Sequence, residues 1–305
     1  MTGINTRILD MVGNTALVRL DKIAAKAPGV TLLAKTEFAN PSGSVKDRAA
    51  KGIILDALNT GKLTPGRTIM DATSGNTGIA FAMIGAVLGY PVTLYIPANA
   101  SPERKRMIQS YGARIVETDP LESSDGAYLA ARAAAEANPE SIFFPDQYNN
   151  PANWRAHYET TAVEIWEQTE RAVTHFVAIT GTSGTFTGTA RRLKEFNSAI
   201  QVFAVQPDSP MHGIEGTKHM ASTLKPGILD ESLPDGVLPV STDEAYAMTR
   251  RLAREEGLYV GVSSGANVQA ALRLAKVLPY GSVIVTILCD GGLRYASAPF
   301  WDVPA

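Results

Sequence analysis

Apolar residues fall into short runs separated by longer amphipathic stretches. The runs at residues 31–35, 68–71, 92–96, 114–117, 142–144, 176–179, 202–205 and 283–288 predict strands buried on both faces. The stretches at 103–111, 126–136, 157–168, 243–256 and 266–277 predict helices. Strands alternating with helices in this way argue for an α/β fold with mostly parallel sheets covered on both sides. Ligands in such folds bind at the C-terminal ends of strands, in the loops that lead into helices. Here those loops concentrate Gly, Ser and Thr. The polar, turn-rich segment Gln147-Tyr148-Asn149-Asn150-Pro151-Ala152-Asn153 reads as a change of domain.

One stretch raises a membrane span, because residues 79–100 contain no charge. Gly85, Gly89, Pro91 and Pro97 punctuate it, so 77–88 reads as a buried helix and 92–96 as a buried strand. With 28 Lys and Arg against 30 Asp and Glu, the net charge of −2 offers no electrostatic case for nucleic acid or an anionic membrane. The single cysteine, Cys289, permits no internal disulfide and ends an apolar strand, which suits a buried structural thiol. Met1-Thr2-Gly3-Ile4-Asn5 lacks the basic-then-apolar pattern of a secretory signal, so a cytoplasmic protein is expected. No His, Cys or carboxylate cluster has metal-ligand spacing, and no metal is expected.

Four loops carry the candidate chemistry. In Asn40-Pro41-Ser42-Gly43-Ser44-Val45-Lys46-Asp47-Arg48, Ser44 and Asp47 stand at capping-box spacing, which predicts a helix starting at Ser44 with Lys46 in its first turn. A helix N-terminus disfavours an ammonium and favours the neutral amine that attacks an aldehyde; a surface lysine is the plainer alternative. Asp71-Ala72-Thr73-Ser74-Gly75-Asn76-Thr77-Gly78 offers backbone N–H groups and hydroxyls to a small anion such as a carboxylate. Gly181-Thr182-Ser183-Gly184-Thr185 suits a phosphate held without a basic side chain, and it lacks the Gly-Lys-Ser/Thr ending of a P-loop. Either loop alone is equally a tight strand-to-helix turn.

The fourth loop, Gly261-Val262-Ser263-Ser264-Gly265, formally matches the nucleophile elbow of serine hydrolases. That fold places its histidine after the serine, whereas His157, His175, His212 and His219 all precede Ser263. A hydrolase is therefore disfavoured, and Ser263 needs another role or none beyond capping a helix at Ala266.

Taken together and in this order, the four loops resemble those of the cysteine synthase family, pyridoxal-phosphate enzymes of the tryptophan-synthase-β fold type. The resemblance runs from Gly13-Asn14-Thr15 to Asp290-Gly291-Gly292-Leu293-Arg294-Tyr295 and is nearest to the cysteine synthase B branch through Ile165-Trp166, His175-Phe176-Val177 and Cys289-Asp290. It implies two doubly wound α/β domains with the cofactor in the cleft between them: a smaller mobile domain at 39–148, and a larger one at 1–38 plus 149–305 carrying the cofactor-phosphate loop. It implies that Lys46 forms the Schiff base and moves the Cα proton, and that Asn76 bonds the cofactor's phenolic oxygen. Thr73, Ser74 and Thr77 with Gln147 would hold the substrate carboxylate. Gly181, Thr182, Ser183, Gly184 and Thr185 would cup the phosphate, and Ser263 would face the pyridine nitrogen. A neutral hydroxyl there leaves the ring a weaker electron sink and favours β-elimination.

The implied activity is cysteine synthesis by a transferase, in which sulfide or thiosulfate adds to the aminoacrylate formed from O-acetylserine or O-phosphoserine. A homodimer is implied as well. Ala16 stands where the family usually has proline, and Ser183 where it has Gly or Thr. Lys218, in Met211-His212-Gly213-Ile214-Glu215-Gly216-Thr217-Lys218-His219, is placed by the resemblance near the active-site mouth in a segment its glycines make mobile. It is a candidate reader of a second negative charge, the alternative being a solvated loop lysine. Cystathionine β-synthase, which adds homocysteine, serine or threonine dehydratase, and a non-catalytic ligand-binding module remain alternatives.

Overall fold

The computed structural model describes residues 7–73 and 75–302; Ser74 and the terminal residues, including those read for a secretory signal, lie outside the described residues. In chain order the strands are β1 (Leu17–Arg19), β2 (Thr31–Thr36), β3 (Thr68–Ala72), β4 (Val92–Pro97), β5 (Arg114–Thr118), β6 (Ile142–Phe143), β7 (His175–Ile179), β8 (Gln201–Pro207), β9 (Gly236–Val240) and β10 (Val283–Leu288). The chain divides into two compact units, Met1–Gly13 with Asn40–Asn153 and Asn14–Ala39 with Trp154–Ala305.

The first unit is built on a four-stranded sheet of order β5-β4-β3-β6, parallel throughout. Ile69 of β3 and Leu94 and Ile96 of β4 share one core with Ile79, Phe81 and Ile84 of the helix Asn76–Leu88. That helix is buried from Thr77 to Gly85, and β4 is flanked on both sides. Burial of most of that helix and of an inner strand accounts for the lack of charge in residues 79–100. Among the described residues no helix is long and apolar enough to cross a membrane.

The second unit has a six-stranded sheet of order β1-β2-β10-β7-β8-β9. Only β1 runs antiparallel to its neighbour; the other pairings are parallel. The helix Val262–Ala275 is buried along nearly its whole length and shares the core of β10 with Met248 and Leu252 of the helix Thr242–Glu256. The latter begins with a reciprocal cap, Ser241 with Glu244, and ends at left-handed Gly257.

The eight expected strands are present, and two further ones were not foreseen. β1 is three residues long, and β9 contains Gly236 and Pro239 at the sheet edge, where a missing N–H is tolerated. The helix expected from 126 begins at Ser123, the one expected over 157–168 is a π turn at His157–Thr161 followed by Ala162–Gln168, and two helices at the candidate loops also start elsewhere than the sequence suggests. One begins at Lys46 rather than Ser44, because the Asp47 carboxylate turns back to accept from the Ser42 N–H at 2.6 Å and from the Ser42 hydroxyl. The other begins at Val262 rather than Ala266, because Gly261 is fixed to the Asp290 carbonyl through its N–H at 3.0 Å.

Candidate functional site

In the first unit the residues expected to hold a carboxylate gather where β3 runs into the helix Asn76–Leu88. Gly75 has φ +156°, and a Cβ there would collide with the Arg104 side chain, so only glycine fits. Thr73 Oγ1 accepts from the N–H groups of Gly75 at 3.0 Å and Gly78 at 3.2 Å, which ties the loop to the first turn of the helix. Thr77 Oγ1 donates to Gln147 Oε1 at 2.8 Å, and Gln147 Nε2 donates to the Ala72 carbonyl at 2.9 Å. Asn153 Nδ2 in turn holds the Gln147 carbonyl at 2.7 Å. The fold thus brings Thr73, Thr77 and Gln147 together, all buried, with half-buried Asn76 as the first residue of the helix. Hydroxyls and amides at a helix N-terminus suit a carboxylate. Ser74, expected in the same set, lies outside the described residues.

Asp71 lies immediately behind this loop and was given no role from the sequence. It is fully buried; its Oδ1 accepts from the Ala72 N–H at 2.7 Å, while Oδ2 is buried with no hydrogen-bond partner. Burial, with Asp146 adding to it, pushes the carboxyl well above the usual aspartate range. Burial and Asp71 push the Tyr148 phenol up in turn. The raised pKa favours the uncharged carboxyl beneath a loop suited to an anion.

Lys46, also in the first unit, is half-buried and is the first residue of the helix Lys46–Asn59. Its N–H donates to Ser44 Oγ at 3.3 Å, and left-handed Gly43 closes the preceding turn through its N–H to the Asn40 carbonyl at 2.7 Å. Two turns and the buried Asp47 therefore fix where the lysine leaves the backbone.

In the second unit β7 ends at Ile179 and the chain turns through Thr180–Ser183 into the helix Gly184–Phe196. Gly181 packs so closely on the Gly216 carbonyl that no Cβ fits. Ser183 takes a left-handed φ of +72° as the helix N-cap, a conformation that costs a non-glycine residue about 1–2 kcal/mol. Its hydroxyl is buried and has no hydrogen-bond partner. A left-handed turn at a helix start, with close backbone and an unpartnered buried hydroxyl, fits a phosphate. Thr185 Oγ1 shares a hydrogen bond of 3.3 Å with Nε2 of His157. His157 is itself buried in a π turn, His157–Thr161, with Nδ1 2.9 Å from Thr161 Oγ1. Nothing in the sequence marks this contact, since the histidine lies 28 residues upstream in what reads as an ordinary helix.

Ser263 is buried in the first turn of the helix Val262–Ala275. His157, His175 and His219 are hydrogen-bonded to threonine or serine at other places, to Thr161 and Thr185, Thr174 and Ser222. Lys218 is 6% exposed, with its N–H on the Thr180 carbonyl at 3.1 Å. It is therefore not a solvated loop lysine, and its backbone is anchored to the residue before Gly181. Cys289, following β10, is half-buried and lies 3.5 Å from Asn267 Nδ2. Among the described residues no group of three or more His, Cys, Asp or Glu is placed to hold a metal ion.

The family model described as pyridoxal-phosphate dependent enzyme matches residues 8–290. The chain is 51% identical to the cysteine synthase of Aquifex aeolicus, over 97% of this chain and 92% of that one. It is 44% identical to the cysteine synthase B of Pseudomonas aeruginosa, over 97% of each. The crystal structure of a cysteine synthase from Entamoeba histolytica superposes with a TM-score of 0.94 at 35% identity, covering 100% of this chain and 93% of that one.

Asp71 gives the first unit a specific pH dependence. Its folded carboxyl is raised, so the stability tied to it is complete below the ordinary aspartate pKa, near about 4, and is lost as pH rises through the folded value. Asn at this position cannot ionise. Urea midpoints measured from about pH 5 to about pH 9 are expected to fall more for the wild type than for Asp71→Asn. Parallel curves would show that Asp71 is not held protonated.

Proposed function

The chain belongs to the pyridoxal-phosphate dependent enzymes, and from that premise we propose that it makes cysteine by β-replacement on an activated serine. The observation that carries the site assignment is the 181–185 loop, with its close glycine, its left-handed serine and a buried hydroxyl lacking a partner. When bound, the cofactor supplies an aldehyde for the substrate amine and an electron sink that weakens the bonds at Cα.

The chain's own residues do the rest. Lys46 Nζ is the anchoring amine and carries the proton to and from the substrate Cα. Asn76 holds the cofactor's phenolic oxygen. Thr73, Ser74, Thr77 and Gln147 orient the substrate carboxylate, and closure of the 73–77 loop on it excludes water while the leaving group departs. Gly181, Thr182, Ser183, Gly184 and Thr185 bind the phosphate, the last with its hydroxyl on His157. Ser263, a neutral partner for the ring nitrogen, keeps the ring a weak electron sink and so favours loss of the β-substituent over transamination. The same reading makes the enzyme a transferase, acting as a homodimer in the cytoplasm, with acetate or phosphate leaving and sulfide or thiosulfate entering.

Lys46→Ala tests the anchor. The variant is expected to lose the visible absorbance of the bound cofactor and cysteine formation, while its urea midpoint stays close to that of the wild type. A cofactor bond still reducible by borohydride in Lys46→Ala would place the anchor elsewhere.

Lys218 addresses the leaving group and donor. Buried and tied to Thr180, it is proposed to read a second negative charge, the phosphate of O-phosphoserine or the terminus of thiosulfate. Such a contact contributes about 1.5–3 kcal/mol when charge-assisted. Lys218→Ala is expected to lower kcat/KM for the dianionic substrate by about tenfold or more, leaving O-acetylserine with sulfide nearly unchanged. A parallel fall for both pairs would make Lys218 structural.

A further inference from the structure

β7 and β10 pair in register only as far as Val177 and Thr286. Beyond that point β7 continues along β8, with Ile179 opposite Val205, and then leads into the 181–185 loop. Parting of parallel strands at their C-terminal ends leaves backbone groups that face one another but no longer reach. Asn267 fills that gap. Its Oδ1 accepts from the Ile179 N–H at 2.7 Å, and its Nδ2 donates to the Ile287 carbonyl at 2.8 Å. The side chain is wholly buried. A primary amide carries both an acceptor and a donor, so one short side chain replaces the missing rung of the ladder.

Asn267 stands four residues after Ser263 on the helix Val262–Ala275, hence on the same face, one turn along. The start of that helix is fixed from a second side, where the Cys289 N–H donates to Ser264 Oγ at 2.9 Å. Ile179 stands two residues before Gly181. The amide thus ties the turn carrying Ser263 to the strand end that delivers the phosphate loop. In a pyridoxal phosphate the phosphate hangs from the ring on a short methylene–ester arm, so the protein contacts to the ring nitrogen and to the phosphate must stay within the reach of that arm.

We infer that Asn267 is a positioning residue for the cofactor, setting the Ser263 turn against the 181–185 loop. This rests on the reading that those two elements bind ring nitrogen and phosphate. Loss of the amide leaves the Ile179 N–H buried and unpaired, leaves the Ile287 C=O with only the Cys289 thiol at 3.9 Å, and frees the loop to shift from the ring contact.

The test titrates apoprotein with pyridoxal phosphate and records its Kd, the phosphorus NMR resonance of the bound cofactor and the urea midpoint. Asn267→Ala is expected to raise Kd by about tenfold or more and to move the resonance. Val268→Ala removes neighbouring buried apolar volume on the same helix; it is expected to lower the urea midpoint comparably, with Kd within about twofold of wild type. Asn267→Asp keeps the acceptor for Ile179 and loses the donor; it is expected to fall between, and it carries the comparison if Asn267→Ala does not fold. Wild-type Kd and resonance in the Asn267 variants, or an equal rise in Val268→Ala, would overturn the positioning role. Gly181→Ala, which disturbs the loop backbone, is titrated alongside. If it raises Kd and the Asn267 variants do not, only the positioning role fails. If it too leaves Kd unchanged, the phosphate-loop reading fails, and the positioning role with it.

Discussion

The second unit's binding loop depends on the approach of Gly181 to the Gly216 carbonyl, which is too close for any side-chain carbon. That contact lets the chain leave β7, turn within Thr180–Ser183 and start a helix at Gly184. It also joins the loop to the segment bearing Lys218, whose N–H sits on the Thr180 carbonyl. The left-handed Ser183 and the His157–Thr185 contact are further consequences of holding a tight loop at one place.

Both loops offer backbone N–H and hydroxyl donors, and in the first the buried Arg104 side chain also packs against Gly75. A helix N-terminus contributes about 0.3–1 kcal/mol to a nearby anion, up to about 2 when partly buried. A hydrogen bond to a charged group contributes about 1.5–3 kcal/mol. Several N–H and hydroxyl donors therefore outweigh the helix field, and loop geometry decides affinity. The raised pKa of the Asp71 carboxyl is in keeping with this, since an ionised carboxylate beneath Thr73 would oppose a bound carboxylate.

Much of this was legible in the sequence because parallel strands buried on both faces read as unbroken apolar runs, and strand-to-helix loops as clusters of Gly, Ser and Thr. Strands β1 and β9 escaped, one being too short and the other carrying glycine and proline at an edge. The helix starts at Lys46 and Val262 were misplaced because caps are local guesses, whereas Asp47 and Gly261 are held by Ser42 and Asp290. Asp71, His157 and Asn267 carried no signal. Each is a polar residue whose partner or environment exists only after strands and helices distant in sequence have packed. The similarity to known enzymes then identifies chemistry that the loops, taken singly, leave open.

The central claim is that the 181–185 loop grips the cofactor phosphate through close backbone. Phosphorus NMR of wild type and Gly181→Ala, each titrated with pyridoxal phosphate, tests it most directly. The alanine must push Gly216 away, so the bound resonance is expected to move and Kd to rise by about tenfold or more, with the urea midpoint less affected. An alanine variant that binds the cofactor with the wild-type resonance and Kd would contradict the claim.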